Sequence, residues 1–250
     1  MRSAALGGVL LALVLAGAPG AQAQGIPVPR ITLEAGEAKS PQEVAAAVQI
    51  VAILTVLSLA PAILLMLTSF TRVIIVLSLL RQAIGVQQLP PNQVLIGLSV
   101  FLTLFIMAPV GEEIRKAAWE PYAAKRITQT EALERAMGPL RGFMLRQTRQ
   151  TDVELMAQLG KLPAPRTPDD LPTHVVIPAF ALSEIRTAFQ IGFVLFVPFL
   201  IIDMVVASVL TSMGMLMLPP VMISLPFKLL LFVLADGWHL VVRALVAGFR

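Results

Sequence analysis

Asp203, Lys228 and Asp236 are the residues whose types could do chemistry, because each stands in a long apolar run of the C-terminal third of the chain. A charge at membrane depth is costly unless it pairs, snorkels or lines a watery path. Two carboxylates in that setting could act as an intramembrane aspartyl pair. Enzymes of that kind hold their acids in glycine-flanked turns, whereas Asp203 sits in the run LIIDM and Asp236 precedes Gly237 and Trp238 without that pattern. A serine nucleophile at Ser99 or Ser208 would need a base. Only two histidines exist, His174 in a polar link and His239 in the last apolar stretch. With no cysteine there is no disulfide framework, thiol nucleophile or cysteine-ligated metal. No glycine-rich phosphate loop with a following lysine is present either. The residues therefore predict a chain that is not an enzyme and has no cofactor or metal. Lys228 set against Asp203, or against a carboxylate of a partner chain, would lower the desolvation cost of both. An ion pair that fixes packing is the simpler use of these charges, and a proton relay in a transporter is the sharper one.

A second feature is soft rather than charged. Residues 210–222 hold four of the eleven methionines, Met213, Met215, Met217 and Met222, and no charge. Methionine is unbranched and polarizable, so it fills gaps of changing shape better than Leu or Ile. Gly214 and the Pro219–Pro220 pair oppose a straight helix through this point. A bent, uncharged, methionine-rich element could seal around something that varies, or it could simply pack a helical turn. The small residues Ala207, Ser208, Thr211, Ser212 and Gly214 would let a neighbouring helix approach closely just before it.

The elements that must position these residues are helices. Hydrophobic residues make up 57% of the chain and charged residues 14%, well below the quarter expected of a soluble domain, so the chain reads as all-α and of membrane type. The net charge of +4 does not indicate nucleic acid, because the basic residues are spread among acidic ones and no basic stripe is interleaved with aromatics. Residues 1–23 have a basic start, a short apolar core and the small-x-small sequence Ala21-Gln22-Ala23, the form of a secretory signal cleaved between Ala23 and Gln24. An uncleaved anchor is the alternative. Residues 24–39 form a flexible leader, and Ser40, Pro41 and Glu43 then make a helix start. Residues 40–110 read as apolar helical hairpins, and 177–250 as a further hairpin carrying the methionine-rich loop. Arg72 and Arg81 mark a cytoplasmic loop under the positive-inside rule, although residues 73–80 are too apolar for an ordinary loop. Four nominal spans fit, with Pro61, Pro90, Pro198, Pro219 and Pro226 breaking them into kinked pieces.

Between the hairpins lies a soluble insert, residues 111–176. More than half of the charged residues, 19 of 34, fall between Glu112 and Asp170, which sets this segment apart from the rest. Thr128 with Glu131, and Thr151 with Glu154, have the spacing of capping boxes. Leu133, Met137, Leu140 and Met144 share one helical face, and Gly138–Pro139 should bend that helix. An even number of crossings on either side keeps the insert and both termini on the outer side. Four spans supply too few walls for a wide pore, so a ring of copies is the economical way to surround a path.

Six motifs in order carry a resemblance. They are FTRVIIV at 70–76, PPNQVL at 90–95, FMLRQTR at 143–149, TAFQIGF at 187–193, PFLIID at 198–203 and LPFK at 225–228, joined by Asp236-Gly237-Trp238. Over essentially the whole mature chain the sequence resembles the FliP (FliP/SctR) family of the type III secretion export gate, and the signal peptide favours its flagellar branch over the injectisome branch. The resemblance implies a homo-oligomer, a pentamer, that joins FliQ and FliR subunits in a helical, cone-like channel. FlhB and FlhA would be neighbours in the export apparatus, and unfolded flagellar proteins the cargo. It implies the bacterial inner membrane at the flagellar basal body, with the insert on the periplasmic side and much of the assembly above the bilayer plane. The family's methionine run forms a gasket in the lumen. Its counterpart is Met215-Leu216-Met217, where leucine replaces the middle methionine and Met213 precedes Gly214. Lys228 matches the family's lysine, which contacts a partner subunit.

Overall fold

The computed structural model describes residues 41–86, 89–162, 170–215 and 217–249, and among these every regular element is a helix. The expectations for the signal peptide, its Ala23–Gln24 cleavage and the Ser40 cap lie outside the described residues. Residues 1–52 and 53–250 form separate units, and helix α1 (Pro41–Met66) starts in one and ends in the other. The second unit holds α2 (Phe70–Ile84), α3 (Asn92–Ile114), α4 (Glu120–Ala123), α5 (Gln129–Gln147), α6 (Gln150–Leu159), α7 (Thr173–Ser212), α8 (Pro220–Leu234) and α9 (Gly237–Ala247). A wide π-helical turn, Arg115–Trp119, joins α3 to α4.

Two cores organise this unit. The first is built on α2, whose Val73, Val76, Leu77, Leu80 and Ile84 recur at helical spacing and are buried against α3, α7 and α8. Gly192 of α7 has no Cβ, and one built there would sit 2.2 Å from Leu79 Cδ1, so α2 and α7 meet at van der Waals distance. Gly85, at φ +89°, ends α2 by donating its N–H to the Gln82 carbonyl. Arg81 then holds the turn into α3 through the Pro90 carbonyl (3.1 Å) and Asn92 Oδ1 (2.6 Å). The second core gathers Phe143 and Met144 of α5, Ala157 of α6, Val175, Val176 and Phe180 of α7, and Leu67 and Val110. Helix α7 runs through both cores. Phe249, after α9, touches both as well.

The prolines do less than their number predicts. Pro61, Pro109, Pro139, Pro178, Pro198 and Pro226 all lie inside continuous helices. Breaks fall instead at Pro90–Pro91, at the Met213–Pro219 loop, and at Asp236. Asp236 takes the left-handed conformation (φ +49°) and divides the last apolar stretch into α8 and α9, bent by 62°. Against the four nominal spans expected, two runs among the described residues are long and apolar enough to cross a membrane, Asn92–Ala123 and Thr173–Ser212, and the bent α8–α9 pair makes a third if counted as one. Arg72 and Arg81 both lie within α2, not in a loop.

The insert begins on the continuation of α3 and ends inside α7, so the positions 110/111 and 176/177 fall within helices. The Thr128–Glu131 capping box is present in both directions, with Thr128 N–H 3.0 Å from Glu131 Oε2. That backbone N–H holds the Glu131 carboxyl below the usual carboxylate range. The Thr151 box is absent. Helix α6 starts two residues earlier on Arg149, whose N–H donates to Ser183 Oγ at 3.0 Å, so a tertiary partner sets the start of the helix. On α5, Met144 is fully buried and Met137 and Leu140 partly so, whereas Leu133 is exposed.

Candidate gate loop and the charges behind it

The methionine-rich loop starts where α7 runs out of helix. Thr211 and Ser212 turn their hydroxyls back to the Ala207 and Val209 carbonyls. Gly214 (φ +75°) donates its N–H to the Thr211 carbonyl, and Met215 donates to the Leu210 carbonyl. This is a Schellman termination with glycine at the left-handed position. Leu218 N–H reaches the Met215 carbonyl at 3.4 Å, and Pro219 and Pro220 open α8, where a missing N–H costs nothing. The described residues of the loop thus form turns, not a continuation of either helix.

Its side chains find no shelter in this chain. Met213 is 64%, Met215 45% and Met217 98% exposed, and Met222 on the first turn of α8 is exposed as well. Leu216 lies outside the described residues. Behind the loop, Val205, Val209, Leu210, Ile223 and Phe227 line a wholly apolar groove between α7 and α8 of about 460 Å³.

Deeper along the same two helices the charges are ordered. Lys228 Nζ lies 2.6 Å from Asp203 Oδ2 and 3.4 Å from the Ala83 carbonyl at the end of α2. Ser224, one turn before Lys228, donates its hydroxyl to Asp203 Oδ1 at 2.6 Å. The lysine side chain is 5% exposed and the aspartate 27%, so three helices close around a charge pair that keeps one edge open. Asp236 is not part of this group. Its side chain is 78% exposed, with His239 Nδ1 3.8 Å from its Oδ2, so within this chain it is not a buried charge. Ser99 is buried and bonded to the Leu95 carbonyl, and His174 is exposed in the first turn of α7. Among the described residues no three His, Cys, Asp or Glu side chains converge as metal ligands would.

Sequence reasoning missed a second buried constellation. Arg72 forms a two-pronged ion pair with Glu184, one prong being Nε to Oε2 at 3.0 Å. The same guanidinium donates to Gln147 Oε1 and to the Gly248 carbonyl, both at 3.1 Å, and lies 3.8 Å from the centroid of the Phe249 ring. Nearby, Ser183 donates to Asp152 Oδ2 at 2.6 Å, and Arg149 binds Gln190. The sign in the sequence is that Arg72 and Glu184 are opposite charges in largely apolar surroundings.

Comparison with known proteins is informative over most of the length. The FliP family model matches residues 53–245. The flagellar biosynthetic protein FliP of Bacillus subtilis (strain 168) is 54% identical over 209 residues, covering 84% of this chain and 95% of the relative. The proteins of that name from Caulobacter vibrioides and Aquifex aeolicus are 56% identical over 203 residues and 49% over 225. The first alignment covers 81% of this chain and 76% of the relative, the second 89% and 92%.

Proposed function

The chain belongs to the FliP family and is a non-enzymatic component of the flagellar export apparatus, and from that premise we propose that it supplies the channel wall and the seal of the export gate. Copies of the chain, five by resemblance to the family, surround an axis together with FliQ and FliR. FlhB and FlhA adjoin them, and unfolded flagellar proteins are the cargo. The site is the bacterial inner membrane, with the insert on its periplasmic side.

The observation that carries this reading is the loop itself. Three methionines, Met213, Met215 and Met217, stand between α7 and α8 with their side chains exposed. An exposed thioether run of this kind has no use in an isolated chain, whereas around an axis it makes a ring that yields to a passing polypeptide and closes afterwards. Asp203 and Lys228 hold α7 and α8 together just behind the loop, which fixes the two arms from which it hangs.

The test is the double substitution Met215→Ala, Met217→Ala in the assembled gate. Ion leakage across the membrane should rise while export is largely retained. A small-solute or proton-coupled transporter working through Asp203 and Lys228 would show little leak. A purely structural scaffold would show neither leak nor lost secretion, and either of those outcomes would overturn the gasket.

A further inference from the structure

The chain holds eleven methionines and no cysteine, so every sulfur atom that it offers to an oxidant is a thioether. Those thioethers are unequally sheltered. Met144 is fully buried in the second core, and Met107, Met137 and Met156 are partly buried. The loop between α7 and α8 is the opposite case. Met213, Met215 and Met217 are exposed, Met217 almost completely, and Met222 follows on the first turn of α8. Met66 and Met204 are exposed too, but each stands alone on its helix face.

Exposure decides which of these sulfurs reacts, since an oxidant must reach the lone pair. With hydrogen peroxide the sulfur lone pair takes one oxygen, the O–O bond breaks, and the other oxygen leaves as water with both protons. Sulfur loses two electrons and the peroxide gains them. The product is a sulfoxide, polar and chiral where the thioether was apolar. Its new oxygen accepts hydrogen bonds, and residues 210–222 carry no charged side chain to meet it, so water is the partner at hand. A hydrophobic constriction stays shut because water leaves it. Sulfoxides around such a constriction draw water back, and every copy of the chain adds the same three of them. Leucine in their place has no atom that this reaction attacks.

We propose that Met213, Met215 and Met217 are an oxidation site, at which peroxide converts the thioethers to sulfoxides and unseals the gate. The change is reversible, because methionine sulfoxide reductases return each epimer to the thioether. The proposal rests on the reading of the loop as a gasket and adds to it a chemical input. The same side chains that yield to a passing polypeptide make the seal sensitive to the redox state of the water that bathes it.

The experiment uses the assembled gate, the full chain with its partner subunits, purified in detergent. It is treated with hydrogen peroxide, freed of it with catalase, and reconstituted into vesicles. Peptide mapping should find one added oxygen on each of Met213, Met215 and Met217 while Met144, buried in the core, stays reduced. Ion efflux from the vesicles should rise several-fold over that of the untreated gate. Treatment with both methionine sulfoxide reductases before reconstitution should bring it back. In the variant Met213→Leu, Met215→Leu, Met217→Leu, peroxide should leave efflux at whatever value that variant shows without it, although every other methionine of the assembly remains. An equal rise in that variant would place the effect elsewhere and overturn the proposal. So would loop methionines that stay reduced, loop sulfoxides without added efflux, or efflux that the reductases do not lower. The variant Met215→Ala, Met217→Ala, run alongside, separates this site from the gasket itself. If it leaks while the oxidised gate does not, the seal stands and the oxidation site falls. If neither leaks, the seal falls and the proposal with it.

Discussion

Arg72 has no route to water. Its side chain is 4% exposed, that of Glu184 is fully buried, and the guanidinium spends its donors on Glu184, Gln147 and the Gly248 carbonyl. A buried pair of this kind contributes little net stability, because desolvation offsets most of the attraction, yet removing one partner strands the other. Arg72→Met should therefore cost about 3 to 5 kcal/mol, and Arg72→Met with Glu184→Leu should recover most of that loss. Thermal unfolding in detergent, with both single variants and the double, measures the coupling. If the double variant were as unstable as the worse single one, the pair would matter for shape, not for charge. No local pattern could have paired these residues, since 112 positions separate them. What the sequence does carry is a weaker hint, a cation and an anion each set in a largely apolar helix. By contrast, the Asp203–Lys228 pairing is legible because the two lie on consecutive apolar stretches joined by a single turn.

At the scale of the element, glycine separates helices that pack from helices that face outward. Gly192 of α7 would drive a Cβ to 2.2 Å from Leu79 Cδ1 and 3.2 Å from its Cβ, so the neighbour cannot simply swing away. Gly97 of α3 would meet nothing within 4 Å. The same substitution thus has opposite expected signs. Gly192→Ala should cost about 1 to 3 kcal/mol through overpacking, and Gly97→Ala should gain about 1 kcal/mol of helix propensity. The unfolding midpoints of the two variants, measured side by side, check this, and a loss at both positions would mean that a partner covers Gly97. Helix existence was readable from the apolar runs, and the Thr128–Glu131 box gave the start of α5, but several other helix ends were not readable. Prolines at 178, 198 and 226 sit inside helices, and the break at Asp236 came from a left-handed aspartate that composition does not announce. The start of α6 came from Ser183 on another helix, a contact no capping pattern encodes.

For the whole molecule the question is what covers the apolar faces. Only 11% of the most apolar window of α7 is buried within the chain, and Phe193, Met204 and Leu234 are among the large side chains left exposed. Lipid and protein partners could both satisfy such faces, but they differ in mass action. Lipid or detergent is present in excess, so a chain covered by it unfolds at a temperature independent of its own concentration. A chain covered by its copies gains stability as they accumulate, by about 2.7 kcal/mol when the partner stands at about 100 times its Kd. The methionine loop argues for copies, because Met213, Met215 and Met217 stand together on one turn and Met217 is 98% exposed. The purified assembly should accordingly show a Tm that rises with protomer concentration at fixed detergent. Hydrogen exchange on dilution should open the Met213–Pro219 loop and the first turn of α8 before it opens α2, whose Val73, Val76, Leu77 and Leu80 are already buried inside one chain. A Tm indifferent to protomer concentration, with loop exchange unchanged on dilution, would assign these faces to lipid and leave the methionines without a ring to complete.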